Sequence, residues 1–252
     1  MYLPGTIPSP LQVFHLLLCR SVWLLPLRLQ SPQYVKLAFG QLTPAYLQGL
    51  LLAMPDATLL QRHLFDIARV AALLQRAAGL RTMPSVKETK RLLPAAALLV
   101  RGVRPTQWVN MVQDSWAEVQ HKTTTEAKAA VLETLHQWPL FGSAFFVVGG
   151  AIEAGAPSDL LLAVNRRGLH LLHPVTHESL ATHPFSAVLS ARRVRSEEGV
   201  QLLEVRHGPA DRSAVIQLRT ERAAEAARLI RRYSALQRRL SESDNRRRQL
   251  SR

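Results

Sequence analysis

The tryptophan–proline pair in "QWPLFGSAFF" (Gln137–Phe146) separates two stretches of different hydrophobic period. Before it, back to residue 43, apolar residues recur every three or four positions; after it they come as short runs or alternate, broken by Gly, Asn, Pro and Ser. A single switch from helices to strands excludes the interleaved α/β architectures. It leaves an α+β chain built of separate lobes. Proline at 139 stops the helix before it, so Trp138 reads as the last core residue of the helical lobe, and Phe141, Phe145 and Phe146 as the first of the next core.

Residues 43–137 read as four or five helices. Thr43 with Pro44 has the form of an N-cap followed by proline at the first helical position, opening a short helix that Pro55 ends. Asp56 then caps a helix whose Leu60, Leu64, Ile67, Ala71 and Leu74 recur at spacings of 4, 3, 4 and 3, closed by Gly79. Ser85 with Glu88, and Thr123 with Glu126, fit the capping box. Lys87, Lys90 and Arg91 read as a solvated face, with Val86 and Leu92 turned inward. Trp108 and Trp116, eight apart, fall on one face of a helix.

After Pro139, "GSAFFVV", "DLLLAVN", "GLHLL", "SAVLSARRV", "VQLLEVRH" and "SAVIQLRT" predict six or seven antiparallel strands, followed by one amphipathic helix over residues 221–240. Such a sandwich closed by one helix is pleckstrin-homology-like. At the other end, residues 11–39 favour two strands around a Ser31-Pro32 turn, with Val35, Leu37 and Phe39 alternating with polar or small neighbours. Two strands alone are marginal in water, so this piece reads as part of a larger unit.

The charge narrows the partners. Of a net +14, +6 comes from residues 221–252, where ten Arg face four acidic residues, which favours an acidic peptide, an anionic lipid surface or nucleic acid. A solvated arginine-rich end with no dedicated ligand is the plainer alternative. Specific nucleic-acid binding wants stacking aromatics among the basic residues, and aromatics are only 6% of the chain. The first residues give no secretory signal and no run long enough for a membrane span, and Cys19 is a lone cysteine, so the chain reads as intracellular.

Catalytic signals are lacking. There is no G-x-x-x-x-G-K-[ST] phosphate loop, no G-x-S-x-G elbow and no paired carboxylates. His170, His173, His177 and His183 lie close in sequence. In a strand and turn their rings would not converge, so no metal or other cofactor is expected. The chain reads as a non-enzymatic binding module.

The order of these segments, with the Trp-Pro-Leu-Phe-Gly junction, "AVNRRGLHLL" and "THPF", resembles the FERM domains in the tails of unconventional myosins. The likeness is strongest to the myosin VII and XV group, above all myosin XV, with its XVB paralogue a candidate. The resemblance implies a partial ubiquitin-like lobe in residues 1–41, shortened at its N-terminus, an acyl-CoA-binding-protein-like helical lobe in 42–137, a pleckstrin-homology-like lobe in 138–240 and a basic disordered tail in 241–252. It also implies an adaptor for peptides or cytoplasmic tails of cargo proteins, in a cytoplasmic, cytoskeletal setting, touching actin only through the parent myosin. The competing expectation is a structural remnant, in which a shortened first lobe exposes Val13, Leu17, Val35 and Leu37 and leaves no independent binding activity.

Two surfaces are expected to bind. An extended peptide would add to the edge of residues 186–194, where the resemblance also places a groove between the fifth strand and the last helix. Its candidates are Ser186, Val188, Ser190 and Arg192 on the strand and Ala226, Ile230 and Tyr233 on the helix. The plainer alternative is an edge guarded against aggregation by Arg192 and Arg193. Arg192, Arg193, Arg195, Arg228, Arg231 and Arg232 are the candidates for an anionic lipid such as a phosphoinositide, against the alternative of solvated arginines.

Overall fold

The computed structural model describes residues 19–52, 61–99, 103–150 and 159–250. Helices α1 (Pro32–Leu47), α2 (Gln61–Ala77), α3 (Val86–Leu92), α4 (Pro105–Val119) and α5 (Thr124–His136) precede seven strands and a last helix. The strands are β1 (Ala144–Gly149), β2 (Asp159–Asn165), β3 (Gly168–Leu172), β4 (Ser179–His183), β5 (Val188–Arg195), β6 (Gln201–His207) and β7 (Ala214–Arg219), and α6 is Ala223–Leu250. The change of period at Trp138-Pro139 is therefore a real boundary between helices and strands.

The helical lobe packs around α2, whose Ile67, Ala68 and Val70–Leu74 are buried, with Trp108, Val112 and Trp116 of α4 and Val131, Leu132 and Leu135 of α5. Both capping boxes are present: the Ser85 and Thr123 hydroxyls accept from the Glu88 and Glu126 N–H, and each carboxylate accepts from its cap residue's N–H at 2.8 Å. Gly79 ends α2 with φ +88°. Val86 is 55% exposed, so the inward face of α3 rests on Thr89 and the half-buried Leu92 rather than on Val86.

The strand reading of residues 34–39 is overturned. Ser31-Pro32 is a helix start, with the Ser31 hydroxyl accepting from the Tyr34 N–H and proline in the first turn. Val35, Ala38, Leu42 and Tyr46 form the buried stripe, whereas Leu37 is 65% exposed. Val35 thus belongs to the helical core; Val13 and Leu17 lie outside the described residues. Thr43 is likewise not a cap, because α1 runs through Pro44, and the Thr43 hydroxyl donates to the Phe39 carbonyl at 2.7 Å. Among the described residues no strand precedes β1. The Asp56 cap and Leu60 also lie outside the described residues.

All strand pairings are antiparallel, in the order β4-β3-β2-β1-β7-β6-β5, so β4 and β5 are the edges. The sequence reading missed β4, a short strand with no buried residue. Inward residues Phe146, Leu162, Val164, Leu203, Val205 and Leu218 meet Ala226, Ile230 and Tyr233 of α6 in one core. Phe146 fulfils its expected role. Phe141 does not: it packs with the helical lobe, edge-on to Trp23 and His136, because the turn after Trp138 carries it back toward α5. The last helix also continues past Leu240 to Leu250, so residues 241–250 are helical rather than a disordered tail; good helix formers outnumber breakers there, since no Gly or Pro interrupts "SESDNRRRQL".

Two devices fasten the lobes together. In the β2–β3 turn, the Arg166 and Arg167 guanidiniums donate to the His136 and Gln137 carbonyls at 2.7 and 2.8 Å, where the end of α5 leaves carbonyls unpaired. Asn165, fully buried, donates to the Pro139 carbonyl and the Ser143 hydroxyl, both at 2.9 Å. Residues 19–30 form the second device, a strap. Gln41 brackets the Arg20 backbone, accepting from its N–H at 2.9 Å and donating to its carbonyl at 2.8 Å. The buried Trp23 N–H donates to the Tyr233 hydroxyl at 2.9 Å. Tyr233→Phe would leave that N–H without its acceptor, so a loss of about 1–3 kcal/mol in denaturant unfolding is expected. An unchanged unfolding midpoint in Tyr233→Phe would show that this hydrogen bond does not fasten the strap.

Candidate functional site at the β5 edge and α6

Among the described residues strand β5 pairs only with β6, in a register that sets Ala191 opposite Val205 and Arg192 opposite Glu204. Between Val188 and Ser190 the register shifts by a bulge at Leu189, which is why Val188 and Ala191, three apart, both point into the core. Beyond the bulge, alternation puts Ser190 and Arg192 on the outer face and Arg193 and Arg195 on the face shared with Ala191.

The Ala191 carbonyl points away from β6 and accepts from the Arg231 guanidinium of α6 at 3.1 Å. By the same alternation the backbone groups of Arg193 and Arg195 face outward. Among the described residues, Arg231 is the one side chain that hydrogen-bonds the open edge of β5. The edge thus carries three features that discourage uncontrolled pairing, a bulge, exposed arginines and a guanidinium lying across one carbonyl, yet its C-terminal half stays open.

The sequence-predicted groove residues do not gather into one open site. Ala226, Ile230 and Tyr233 are fully buried, packed under the sheet, with Tyr233 stacked on Phe185 at 5.4 Å. They cannot line a groove, because the inner face of α6 is consumed by its own sheet. Val188 is buried beside them, while Ser186 is exposed and Ser190 and Arg192 lie on the outer face. Leu189, 39% exposed at the bulge, was missed by sequence reasoning; the signal was available in the three-residue spacing of Val188 and Ala191.

The arginines divide similarly. Arg192 is paired with Glu204 at 2.7 Å, and Gln217 donates to the same carboxylate at 3.1 Å, which together hold the Glu204 carboxyl below its usual range. Arg231 is committed to Ala191. Arg193, Arg195 and Arg228 are exposed and make no ion pair among the described residues. Arg232 faces the strap instead, beside Leu24 and Leu236. The six do not form one patch.

The histidines are dispersed as well. His170 sits buried in β3 rather than in a turn, its ring nitrogens 3.3 Å from the Thr182 hydroxyl and 3.4 Å from Asn165 Oδ1. His173 Nδ1 accepts from the Val175 and Thr176 N–H groups in the β3–β4 turn. The His183 and His207 rings pack against one another, tilted by 51° with centroids 4.2 Å apart. Among the described residues no group of three or more His, Cys, Asp and Glu side chains is arranged to hold a metal ion, and no helix is long and apolar enough to cross a membrane.

No family model matches the chain. It is 29% identical over 213 residues to the unconventional myosin-XV of Homo sapiens, covering 84% of this chain, and 28% identical over 211 residues to the unconventional myosin-XVB of Homo sapiens, covering 82%. The chain spans 6% of the length of each. Its fold matches the C-terminal MyTH4-FERM domain of human Myosin 7b, solved in complex with the harmonin-a PDZ3 domain, at TM-score 0.62 and 26% identity, covering 86% of this chain and 42% of that one. A MyTH4-FERM domain of Dictyostelium Discoideum Myosin VII matches at TM-score 0.62 and 18% identity, covering 80% of this chain and 38% of that one, a likeness of fold alone. The chain carries a FERM domain of the unconventional-myosin-tail kind. In this FERM domain "AVNRRGLHLL" is the β2–β3 hairpin that grips the end of α5, so the stretch that carried the resemblance is a fastening between lobes.

Proposed function

We propose that this FERM domain is a non-enzymatic adaptor that holds an extended segment of a partner protein along the open half of β5. The carrying observation is that the outward backbone of Arg193 and Arg195 has no partner among the described residues, while α6 fixes the strand beside it through Arg231. Strand addition draws affinity from such backbone groups, and the exposed guanidiniums of Arg193 and Arg195 favour an acidic segment. The Myosin 7b domain with its bound PDZ domain supports a protein partner, without fixing the surface used. In this reading residues 42–137 remain the helical lobe, with α1 joined to it, and 138–240 the ligand-holding lobe. The setting is cytoplasmic and cytoskeletal, as for the myosin tails it resembles.

The test is selection of peptides from a random display library on the 252-residue chain, followed by affinity measurement on Arg193→Pro. Proline removes an outward N–H without touching the β5–β6 ladder. At least about a tenfold loss is expected, with an unchanged unfolding midpoint. Equal affinity for the variant sinks the reading. An anionic-lipid role would rest on Arg193, Arg195 and Arg228, and phosphoinositide vesicles that bind the chain but release the triple Ala variant would support it. Failure of the chain to select any peptide, together with a non-cooperative unfolding curve, would favour the structural-remnant alternative.

A further inference from the structure

A cavity of about 740 Å³ lies between the strap and the outer side of α6, away from the β5 edge. Its apolar surface comes from two walls: Leu24, Leu25 and Leu27 on the strap, and Leu236 and Leu240 on α6. Leu25 is 59% and Leu240 43% exposed, an unusual cost for leucines on two elements that face one another. Arg28 stands on the strap wall and Arg232 and Arg239 on the helix wall, all three exposed and without an ion pair among the described residues. Among the described residues no acidic side chain lines the cavity. Arg20, also in the lining, is already bound to the Val22 carbonyl and the Tyr34 hydroxyl.

We infer that this cavity is a second protein-docking site, which takes an amphipathic helix of a partner bearing acidic residues on both sides of a leucine-type apolar stripe. Arg232, Leu236, Arg239 and Leu240 follow the i, i+4, i+7, i+8 spacing of one helix face, so α6 offers a straight apolar seam with cations along it. The strap supplies the opposite wall. A helix laid in that trough buries its stripe against leucines from both walls and sets its carboxylates against Arg28 on one side and Arg232 and Arg239 on the other. The arrangement disfavours a single phosphate group, because Arg232 and Arg239 lie about 10 Å apart along the axis and do not converge on one point. The site is independent of the β5 reading, sharing none of its residues.

The probe is a synthetic helix of about four turns, with leucines at i, i+3, i+4 and i+7 flanked by glutamates, titrated into the full chain by fluorescence anisotropy. Its partners in the assay are a scrambled peptide of the same composition and vesicles of phosphatidylserine in phosphatidylcholine. The expected result is saturable binding of the amphipathic probe alone, weakened at least about tenfold by Arg232→Glu with Arg239→Glu and by Leu240→Asp, and falling with added salt. Arg193→Glu should leave it unchanged. All these positions are exposed, and circular dichroism of each variant confirms that it folds. Three results would overturn the inference: equal binding of the scrambled peptide, indifference to the charge reversals, or arginine-dependent binding of vesicles with none of the peptide.

Discussion

Gly142→Ala is expected to lower the stability of the whole domain by on the order of 3 kcal/mol and to loosen the strap. Gly142 sits in the junction turn with φ +66°, a conformation that costs a non-glycine residue about 1 kcal/mol. The larger penalty is steric. A Cβ at this position would stand 2.4 Å from Cγ of Trp23, the ring that packs edge-on to Phe141 at 5.3 Å. That ring belongs to the residue whose N–H is held by Tyr233, so moving it to admit a methyl group also strains the contact with α6. Overpacking of this kind costs about 1–3 kcal/mol. Denaturant unfolding followed by tryptophan fluorescence reads the loss. In a Trp23→Gly background both the ring and its Cβ, which would lie 2.8 Å from the new methyl, are gone, and Gly142→Ala should then cost only its backbone share, about 1 kcal/mol. The same loss in both backgrounds would mean that the Trp23–Gly142 approach does not limit the junction.

What could be read from the sequence was what depends on near neighbours. Both capping boxes, the Gly79 stop and the strands from β1 to β3 are carried by contacts within a few positions, so spacing alone reveals them. Helix α1 was misread because Val35, Leu37 and Phe39 satisfy a period of two as well as Val35, Ala38, Leu42 and Tyr46 satisfy a helical one. What decides between them is the helical core that buries Val35 and leaves Leu37 in water. The site suffered from a different ambiguity. An apolar stripe such as Ala226, Ile230 and Tyr233 looks the same whether it covers its own sheet or lines a pocket for another chain, and here the sheet takes all three. The fastenings between lobes had no local signal at all: Arg166 meets His136 30 positions away, and Trp23 meets Tyr233 210 positions away. The strap cavity was hidden for the same reason, its two walls being opposite ends of the described chain.

Acid should unfold this domain well before its carboxylates are all protonated, with stability falling steadily as pH drops below about 6.5. The cause lies in the histidines. Burial, aided by the Arg167 charge, pushes His170 from its ordinary 6.5 down to about 4. With Asn165 Oδ1 as acceptor, the neutral ring carries its proton on Nε2, leaving Nδ1 to accept from Thr182. His136 is lowered by burial first and then by Arg166 and Arg167, the former donating to its Nε2, an arrangement that a protonated ring cannot keep. Burial lowers His177 and His183 too, and for His183 the facing His207 adds to the effect. Folded-state pKa values below the unfolded ones mean that the unfolded chain takes up protons first. The stabilisation from neutral histidine is therefore complete above about 6.5 and lost as pH falls through the folded values. For His170, a displacement from 6.5 to about 4 amounts to on the order of 3 kcal/mol lost by pH 4, and it is 5% exposed, so solvent screens it little. Equilibrium unfolding at a series of pH values measures the slope. His170→Gln keeps polar atoms in the β3 site but cannot titrate: it should be less stable than the native chain at pH 7.5 and close that gap as pH approaches 4. A gap that stays constant across this range would place the acid sensitivity elsewhere than His170.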